Sequence, residues 1–550
     1  MTRWKIDQLY TEPALIEQDL SSLEELLHDP SKITEILELS QQINAHLRQL
    51  YSYAYCRLSE NTDDTFAYVL QDQVTALQSR FASFTLSIDL LLASRSWKEF
   101  ALNERALLAK KRRPLEQEKL AEKLSINGLY GWGHLYDALI ASVIIPFQGK
   151  PLSFGQIENK LDEPDRPLRL LAFTAIEHAF DEKKSLFART LNHLGGFRLQ
   201  NDQDRGYSYL QEPLERNRMG AKTLSTMWGV INANKQPLFD YLAYKASKMN
   251  LKKLSWSDLE APLHPTESKK IPLEEGMRLI LKHFRTFSPD MADFAEQAFK
   301  NHWIETEDRP KKRPGGFCTD FPLSKETRIF MTYGGSYTNL LTLAHELGHA
   351  YHSHVIFDLP EMDQDYRMSV AETASTMAEM ILISGSIQEA TSPEVKLALL
   401  DEKIQRSITY LLNIHARFLF ETSFYEERAR GYVLPERLSE LMLAAQQEAF
   451  ENNLETYHPL FWATKMHFFF PDAAFYNFPY TVGYLLSLGI YDTLKDPAAY
   501  RNLLRDTGRM SVEDLIEKHL GYDLKEPPFW EKAVHSALSD ISIYLNLAKL

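Results

Sequence analysis

From Ile16 to about Leu108, leucine, isoleucine and aromatic residues recur at three- and four-residue intervals among Glu, Gln, Lys and Ser. That spacing lays an apolar stripe along one face of an α-helix, so so long a patterned stretch predicts a helical lobe. Turn-forming residues interrupt it at Asp29-Pro30 and at Asn61-Thr62-Asp63-Asp64, which read as helix-to-helix connections. Further clusters at Gln148-Gly149-Lys150-Pro151 and Asp162-Glu163-Pro164-Asp165 place a soft boundary near residue 165, and helical patterning resumes from Leu168. Two segments are therefore expected, 1–165 and 166–550. The 550 residues exceed what one core organises, since cores stop growing near about 250–300 residues.

One convincing strand stands out. Arg328-Ile329-Phe330-Met331-Thr332-Tyr333 is β-branched and aromatic, Gly334-Gly335 ends it, and Ser336 or Thr338 can cap a helix after it. An exposed edge on this strand would bind an extended peptide through main-chain hydrogen bonds, with Gly334 and Gly335 permitting close approach. No repeat and no sustained heptad seam appear. The expected fold is mainly α, a two-lobed helical enclosure with a small β-sheet beside the helix that follows the strand.

Charge and cysteine usage exclude several classes. With 61 basic against 75 acidic residues the formal net charge is −14, which repels phosphate backbones and anionic membranes, so neither nucleic acid nor membrane is an expected partner. The basic knot Lys311-Lys312-Arg313 reads as a solvated loop. Cys56 and Cys318 are far apart and form no CxxC, which fits a reduced compartment and gives no thiolate metal site. The N-terminal residues lack a signal-peptide apolar core, and the most apolar stretch, Leu139 to Phe147, is about half a membrane span. A cytoplasmic location is expected; the oligomeric state is left open.

The helix after the strand contains His345-Glu346-Leu347-Gly348-His349. A four-residue step stacks the two imidazoles on one helix face, so both reach a single ion. Zinc accepts imidazole nitrogen, and a catalytic site needs a third protein ligand and a position for water. Glu346 would then stand beside that water as general base. Leu341, Leu343, Ala344 and Leu347 make the flanks apolar, as a buried helix requires. Metzincins are excluded, because their Gly and third His positions hold His352 and Val355 here. A seven-residue offset carries His352 about 10 Å along the axis from His345; a position behind the ligands or facing substrate is expected for it, with plain packing as the alternative, and His354 is read as structural.

A third ligand should come from the helical stretch Tyr366 to Ile383, where Glu372 and Glu379 share one face and Ala371, Ala374 and Ser375 permit close approach. Spacing leaves both acids open. If Glu372 binds the ion, Glu379 could take the other ring proton of a ligand histidine.

Together, His345-Glu-Leu-Gly-His349 and Glu372-Thr-Ala-Ser375 resemble the thimet oligopeptidase family, and its oligoendopeptidase F branch in particular. Ser255-Trp256-Ser257-Asp258-Leu259-Glu260-Ala261-Pro262-Leu263 resembles the segment preceding that branch's catalytic helices. The resemblance implies one Zn2+ held by His345, His349 and Glu372. It also implies an N-terminal accessory lobe over 1–165, a catalytic domain over 166–550, and oligopeptide substrates cut internally. It further implies oxyanion stabilisation by a histidine and a tyrosine-rich loop, here His467 and then Phe475-Tyr476-Asn477-Phe478-Pro479-Tyr480-Thr481-Val482-Gly483-Tyr484. The stretch between His467 and Tyr476 is longer than the thimet pattern, which leaves the assignment among the tyrosines open. Tyr480 is the first choice, with Tyr484 and His467 beside it. A phenol or imidazole donor can stabilise a forming oxyanion by a few kcal/mol, whereas Phe468, Phe469, Phe470, Phe475 and Phe478 argue for an aromatic core in the same segment.

No phosphate loop, nucleophile elbow or dinucleotide fingerprint is present. The alternatives that remain are a carboxypeptidase or dipeptidyl carboxypeptidase, for which no Arg or Lys stands out as the anchor of a terminal carboxylate, and a non-catalytic peptide-binding protein, against which the intact Glu346 weighs.

Overall fold

In the computed structural model, residues 3–263 and 270–549 are described. Internal contacts divide the chain into two units, each assembled from three segments: Met1–Lys119, Ser268–Gly385 and Ile490–Gly521 in the first, Leu120–Glu267, Ser386–Gly489 and Tyr522–Leu550 in the second. Helices dominate and the sheets are small, as the patterning predicts.

The first unit begins with helices Pro13–Leu26, Ile33–Glu60, Thr65–Ala93 and Phe100–Ala109. The expected breaks fall between them, and two of the turn residues are caps: Asp29 accepts from the Ser31 N–H and Asp64 from the Ala67 N–H. Ile16, Leu20 and Leu23, with Ile36, Ile43, Leu47 and Leu50, are buried at the predicted period. They share one core with Phe321 and Phe330 of the sheet, so these helices cover one face of the strands that precede the HELGH segment.

That sheet has three strands in the order Ile304–Glu305, Glu326–Phe330, Phe317–Phe321. The predicted strand is therefore Glu326–Phe330, and it is the middle one: Ile304 and Glu305 pair parallel with Ile329 and Phe330, and Phe317 to Phe321 pair antiparallel with Phe330 to Glu326. This corrects the expected exposed edge at Arg328–Tyr333: Ile329 and Phe330 have strand partners on both sides, and beyond the strand the Met331 and Tyr333 N–H groups donate to the Glu305 and Thr306 carbonyls. Periodicity marks a strand but not its neighbours. The outer strand on the HELGH side of the pair is Phe317–Phe321, with a strand partner on one side only among the described residues. Lys312 also departs from expectation. Its ammonium is buried, donates to the Glu307 and Met331 carbonyls at 2.7 Å and pairs with Glu305 at 3.2 Å, so the basic knot is partly an internal tie.

The second unit is organised on the helix Arg166–Arg205, which has Pro167 in its first turn and ends on Gly206 in the left-handed conformation at φ 72°. Arg169 pairs with Asp258 at 3.0 Å, both fully buried, and Arg166 adds a second contact. These bonds hold the Ser255–Leu263 segment on that helix. A hairpin of Ile144–Phe147 and Lys150–Ser153 was not expected; its turn residues Gln148 and Gly149 both have positive φ, at 49° and 78°. Helices Pro393–Ile408 and Ile414–Arg428 are joined by a π-helical turn, Thr409–Asn413. No helix among the described residues is long and apolar enough to cross a membrane.

Candidate metal centre

Ser336 ends the glycine turn and caps the helix Tyr337–Ile356, accepting from the Asn339 N–H at 3.0 Å. The Asn339 side-chain carbonyl in turn accepts from the Gly334 N–H at 2.8 Å. The helix carries His345, Glu346 and His349, and packs beside the helix Met368–Glu389, which carries Glu372 and Glu379. Gly348 explains how closely: a Cβ there would lie 2.5 Å from the Ala374 carbonyl oxygen and 2.7 Å from the Ser375 Cα. The glycine between the two histidines is what lets the second backbone approach, and the small residues at 374 and 375 answer it.

The approach brings one donor atom from each of His345, His349 and Glu372 within 4.8 Å of one another, a group that could hold a metal ion. The His345 and His349 Nε2 atoms lie 3.5 and 3.8 Å from Glu372 Oε2. Around a tetrahedral ion with bonds of about 2.0–2.1 Å, donors stand roughly 3.3–3.4 Å apart, so the separations fit with little adjustment. His345 Nδ1 donates to Glu379 Oε1 at 2.5 Å, which fixes the tautomer and leaves the Nε2 lone pair facing Glu372. Of the two acids left open by spacing, Glu372 faces the Nε2 atoms of both histidines and Glu379 contacts Nδ1 of His345. Ser375, whose i,i+3 spacing from Glu372 sets it on the same helix face, donates to Glu372 Oε2 at 3.0 Å.

Burial sets the electrostatics. The three donors remain about one-fifth exposed, with side chains at 23%, 21% and 18% for His345, His349 and Glu372. Glu346 is buried, and burial pushes its carboxyl up to about 7, with His345 opposing and Glu372 adding to the rise. Burial also holds the His349 imidazole well below its ordinary value, which favours the neutral form that ligates. Gly316 lies against this carboxylate, since a Cβ there would stand 3.5 Å from Glu346 Oε1 and 3.4 Å from the Phe330 carbonyl oxygen. The outer strand Phe317–Phe321 thus begins beside Glu346.

His352 does not face this group. It is fully buried, its Nε2 donates to Thr507 Oγ1 at 2.8 Å, and its ring stacks on Tyr366 at 4.0 Å between centroids. The expectation of a position behind the ligands or facing substrate is corrected to packing. His354 lies against Phe294, ring to ring at 4.7 Å.

The second unit holds the histidine and tyrosines as a cluster of their own. His467, Tyr476 and Tyr480 are mutual neighbours, with ring centroids 5.7, 6.3 and 6.0 Å apart for 467–476, 467–480 and 476–480. Burial, with Arg417 and Lys465 next, lowers the His467 imidazole to about 4, so it is neutral at pH 7. Tyr484 differs: its ring is buried and stacked on Tyr410, and its hydroxyl is 2.8 Å from Ser407 Oγ. A hydroxyl so engaged is a packing element, which corrects the expected donor role of Tyr484. The loop between His467 and Tyr480 is held by buried charges: Glu421 accepts from the Phe475 N–H at 2.6 Å, Arg198 donates to the Phe470 carbonyl, and Arg417 donates to Asn477 Oδ1 at 2.9 Å. Phe475 has φ 53°, a conformation costly for a bulky residue, and the Glu421 contact offsets that cost.

Residues 163–534 match the sequence pattern of Peptidase family M3. Oligopeptidase PepF of Bacillus subtilis is 23% identical, the alignment covering 95% of this chain and 84% of that protein. An oligoendopeptidase F homolog of Lactococcus lactis subsp. lactis is 24% identical over 97% of this chain and 94% of that protein. The crystal structure of oligoendopeptidase-F from Enterococcus faecium superposes with a TM-score of 0.71 at 17% identity, covering 98% of each chain, and so shares the fold.

Proposed function

The chain belongs to peptidase family M3 and is a metalloendopeptidase, and from that premise we propose that it is a zinc-dependent oligoendopeptidase that hydrolyses internal bonds of short, unfolded peptides in the cytoplasm. The observation that carries the reading is the convergence of His345, His349 and Glu372 donor atoms within 4.8 Å, with the Glu346 carboxylate buried one residue along from a ligand. The names of the Bacillus and Lactococcus relatives support the oligopeptide substrate class. The family match over 163–534 supports the division into a 1–165 accessory lobe and a 166–550 catalytic domain.

His345 and His349 would hold the ion through Nε2 and Glu372 through Oε2. Bound zinc supplies Lewis acidity, lowering the pKa of a bound water towards about 7 and polarising the scissile carbonyl. Glu346 takes the water proton on its carboxylate and returns it to the leaving amine. Its buried setting raises the carboxyl to about 7, which suits it to take and return a proton, and Gly316 leaves room beside it. An extended substrate would lie along Phe317–Phe321, an outer strand that begins beside Glu346, so that main-chain hydrogen bonds tolerate varied side chains. Tyr480, with neutral His467 as its neighbour, is the donor for the oxyanion in this reading; Tyr484 is not retained.

The deciding experiment is cleavage of an internally quenched peptide blocked at both ends, by wild type and by Glu346→Gln, with bound metal quantified in each. Expected is cleavage by wild type and a loss of about 10²–10⁴-fold in the variant, with zinc content unchanged. No cleavage by zinc-loaded wild type would sink the endopeptidase reading in favour of an exopeptidase or a binding protein.

A further inference from the structure

Arg417 stands one helical turn past the π-helical turn Thr409–Asn413, on the helix Ile414–Arg428. Its Nε donates to Asn413 Oδ1 and its Nη1 to Asn477 Oδ1, each at 2.9 Å, and its guanidinium carbon lies 5.2 Å from the centroid of the Phe461 ring. These contacts fix the plane of the guanidinium, yet all of them are neutral. Among the described residues no carboxylate lies within pairing distance of it, although Glu260 and Glu158 act on it from farther away. Arg169 of the same unit shows the usual arrangement, a buried guanidinium with Asp258 at 3.0 Å. Lys465, the other cation acting on His467, is paired with Glu158 at 2.7 Å.

Arg417 is partly buried, and a partly desolvated charge without a counter-ion costs stability; burial accordingly pulls its guanidinium down to about 10, with the Tyr480 phenol first among the groups that favour its charge. Two amide partners leave several of its five N–H donors uncommitted, in the planar fork that matches a carboxylate. The group is also next to the right segment. Its partner Asn477 adjoins Tyr476, and the Arg417 charge is the second cause, after burial, that lowers the His467 imidazole.

We propose that Arg417 is a specificity-determining residue that binds a carboxylate of the peptide substrate beside the His467–Tyr480 segment, the ligand supplying the counter-charge that the fold withholds. This rests on the reading of that segment as substrate-facing. The carboxylate comes either from the peptide C-terminus or from an acidic side chain, and both present the same planar anion.

The test uses zinc-loaded Glu346→Gln, whose slowed turnover lets binding be read before cleavage, and one short fluorescent peptide in matched forms: C-terminal acid or amide, and a central Glu or Gln. Expected is binding at least about tenfold tighter for a carboxylate-bearing form. That preference should fall towards unity in Glu346→Gln/Arg417→Gln and be partly restored in Glu346→Gln/Arg417→Lys. Preference for acid over amide assigns the C-terminal carboxylate; preference for Glu over Gln assigns the side chain. Equal affinity for all forms in Glu346→Gln overturns the proposal without any Arg417 variant being needed, and so does a preference that Arg417→Gln leaves intact. Cleavage of the amidated Gln form by wild type reads the catalytic proposal separately, so that its failure with the affinity ratios intact would leave Arg417's role standing.

Discussion

Ser375 carries no charge and would touch no metal, yet it controls where the third ligand points. Its hydroxyl donates to Glu372 Oε2 and is itself completely buried, so the carboxylate cannot rotate away without losing that bond. Groups that orient metal ligands are worth about 10–100-fold in affinity. Ser375→Ala should therefore weaken zinc binding by that order while leaving the fold intact, as measured by competition with a chelator of known affinity; an unchanged affinity would show that Glu372 needs no support. Spacing left Glu372 and Glu379 open, and only the family resemblance pointed to Glu372, whereas the histidine pair was legible because its four-residue step falls on one helix face. His352 and Tyr484 were not. What decides them are Thr507, Tyr366, Ser407 and Tyr410, partners remote in the chain, and the same holds for Asn477 beside Arg417.

At the scale of elements, the site is a pair of helices held closer than side chains normally allow. In an isolated helix Gly→Ala is favourable by about 0.5–1 kcal/mol. At Gly348 the sign should reverse, because the added Cβ meets the Ala374 carbonyl and Ser375 Cα at 2.5 and 2.7 Å, and backbone atoms cannot swing aside as a side-chain tip can. Overpacking of this kind costs about 1–3 kcal/mol, and here it also spreads the donors on Tyr337–Ile356 from Glu372. Gly348→Ala should lower the melting temperature and the zinc occupancy together; a stable variant with full zinc would mean the helices have slack. Sequence patterning found both helices and the strand before them, but not the order of the strands. Period-two burial is the same for a middle and an outer strand that share a covered face, so Glu326–Phe330 gave no sign that Ile304–Glu305 would take its second side and leave Phe317–Phe321 on the outside. The hairpin at Ile144–Phe147 was concealed for a related reason, since Gln148-Gly149 reads as a boundary turn until both residues are known to take positive φ.

On the scale of the whole chain, every donor of the candidate metal group lies in the first unit, on two helices that adjoin each other near residues 348 and 374. The ion would cross-link those helices in the folded state alone, so binding stabilises them by mass action, about 4 kcal/mol when free zinc is a thousandfold above its dissociation constant. Chelation should thus lower the melting temperature of wild type, and hydrogen exchange should show where: amides of Tyr337–Ile356 and Met368–Glu389 lose the most protection, while those of Ile414–Arg428, which carries no ligand, change least. A uniform change along the chain would mean that the metal acts on global stability rather than on this pair. No change at all would mean that this pair of helices binds no ion, because any ion bound to the folded state alone must stabilise it. The buried Leu341, Leu343, Ala344 and Leu347 on one helix and Ala374, Met377 and Ala378 on the other argue for a partly preformed site. The expected loss of protection is therefore local and graded, strongest around His345, His349 and Glu372 and fading towards the helix ends.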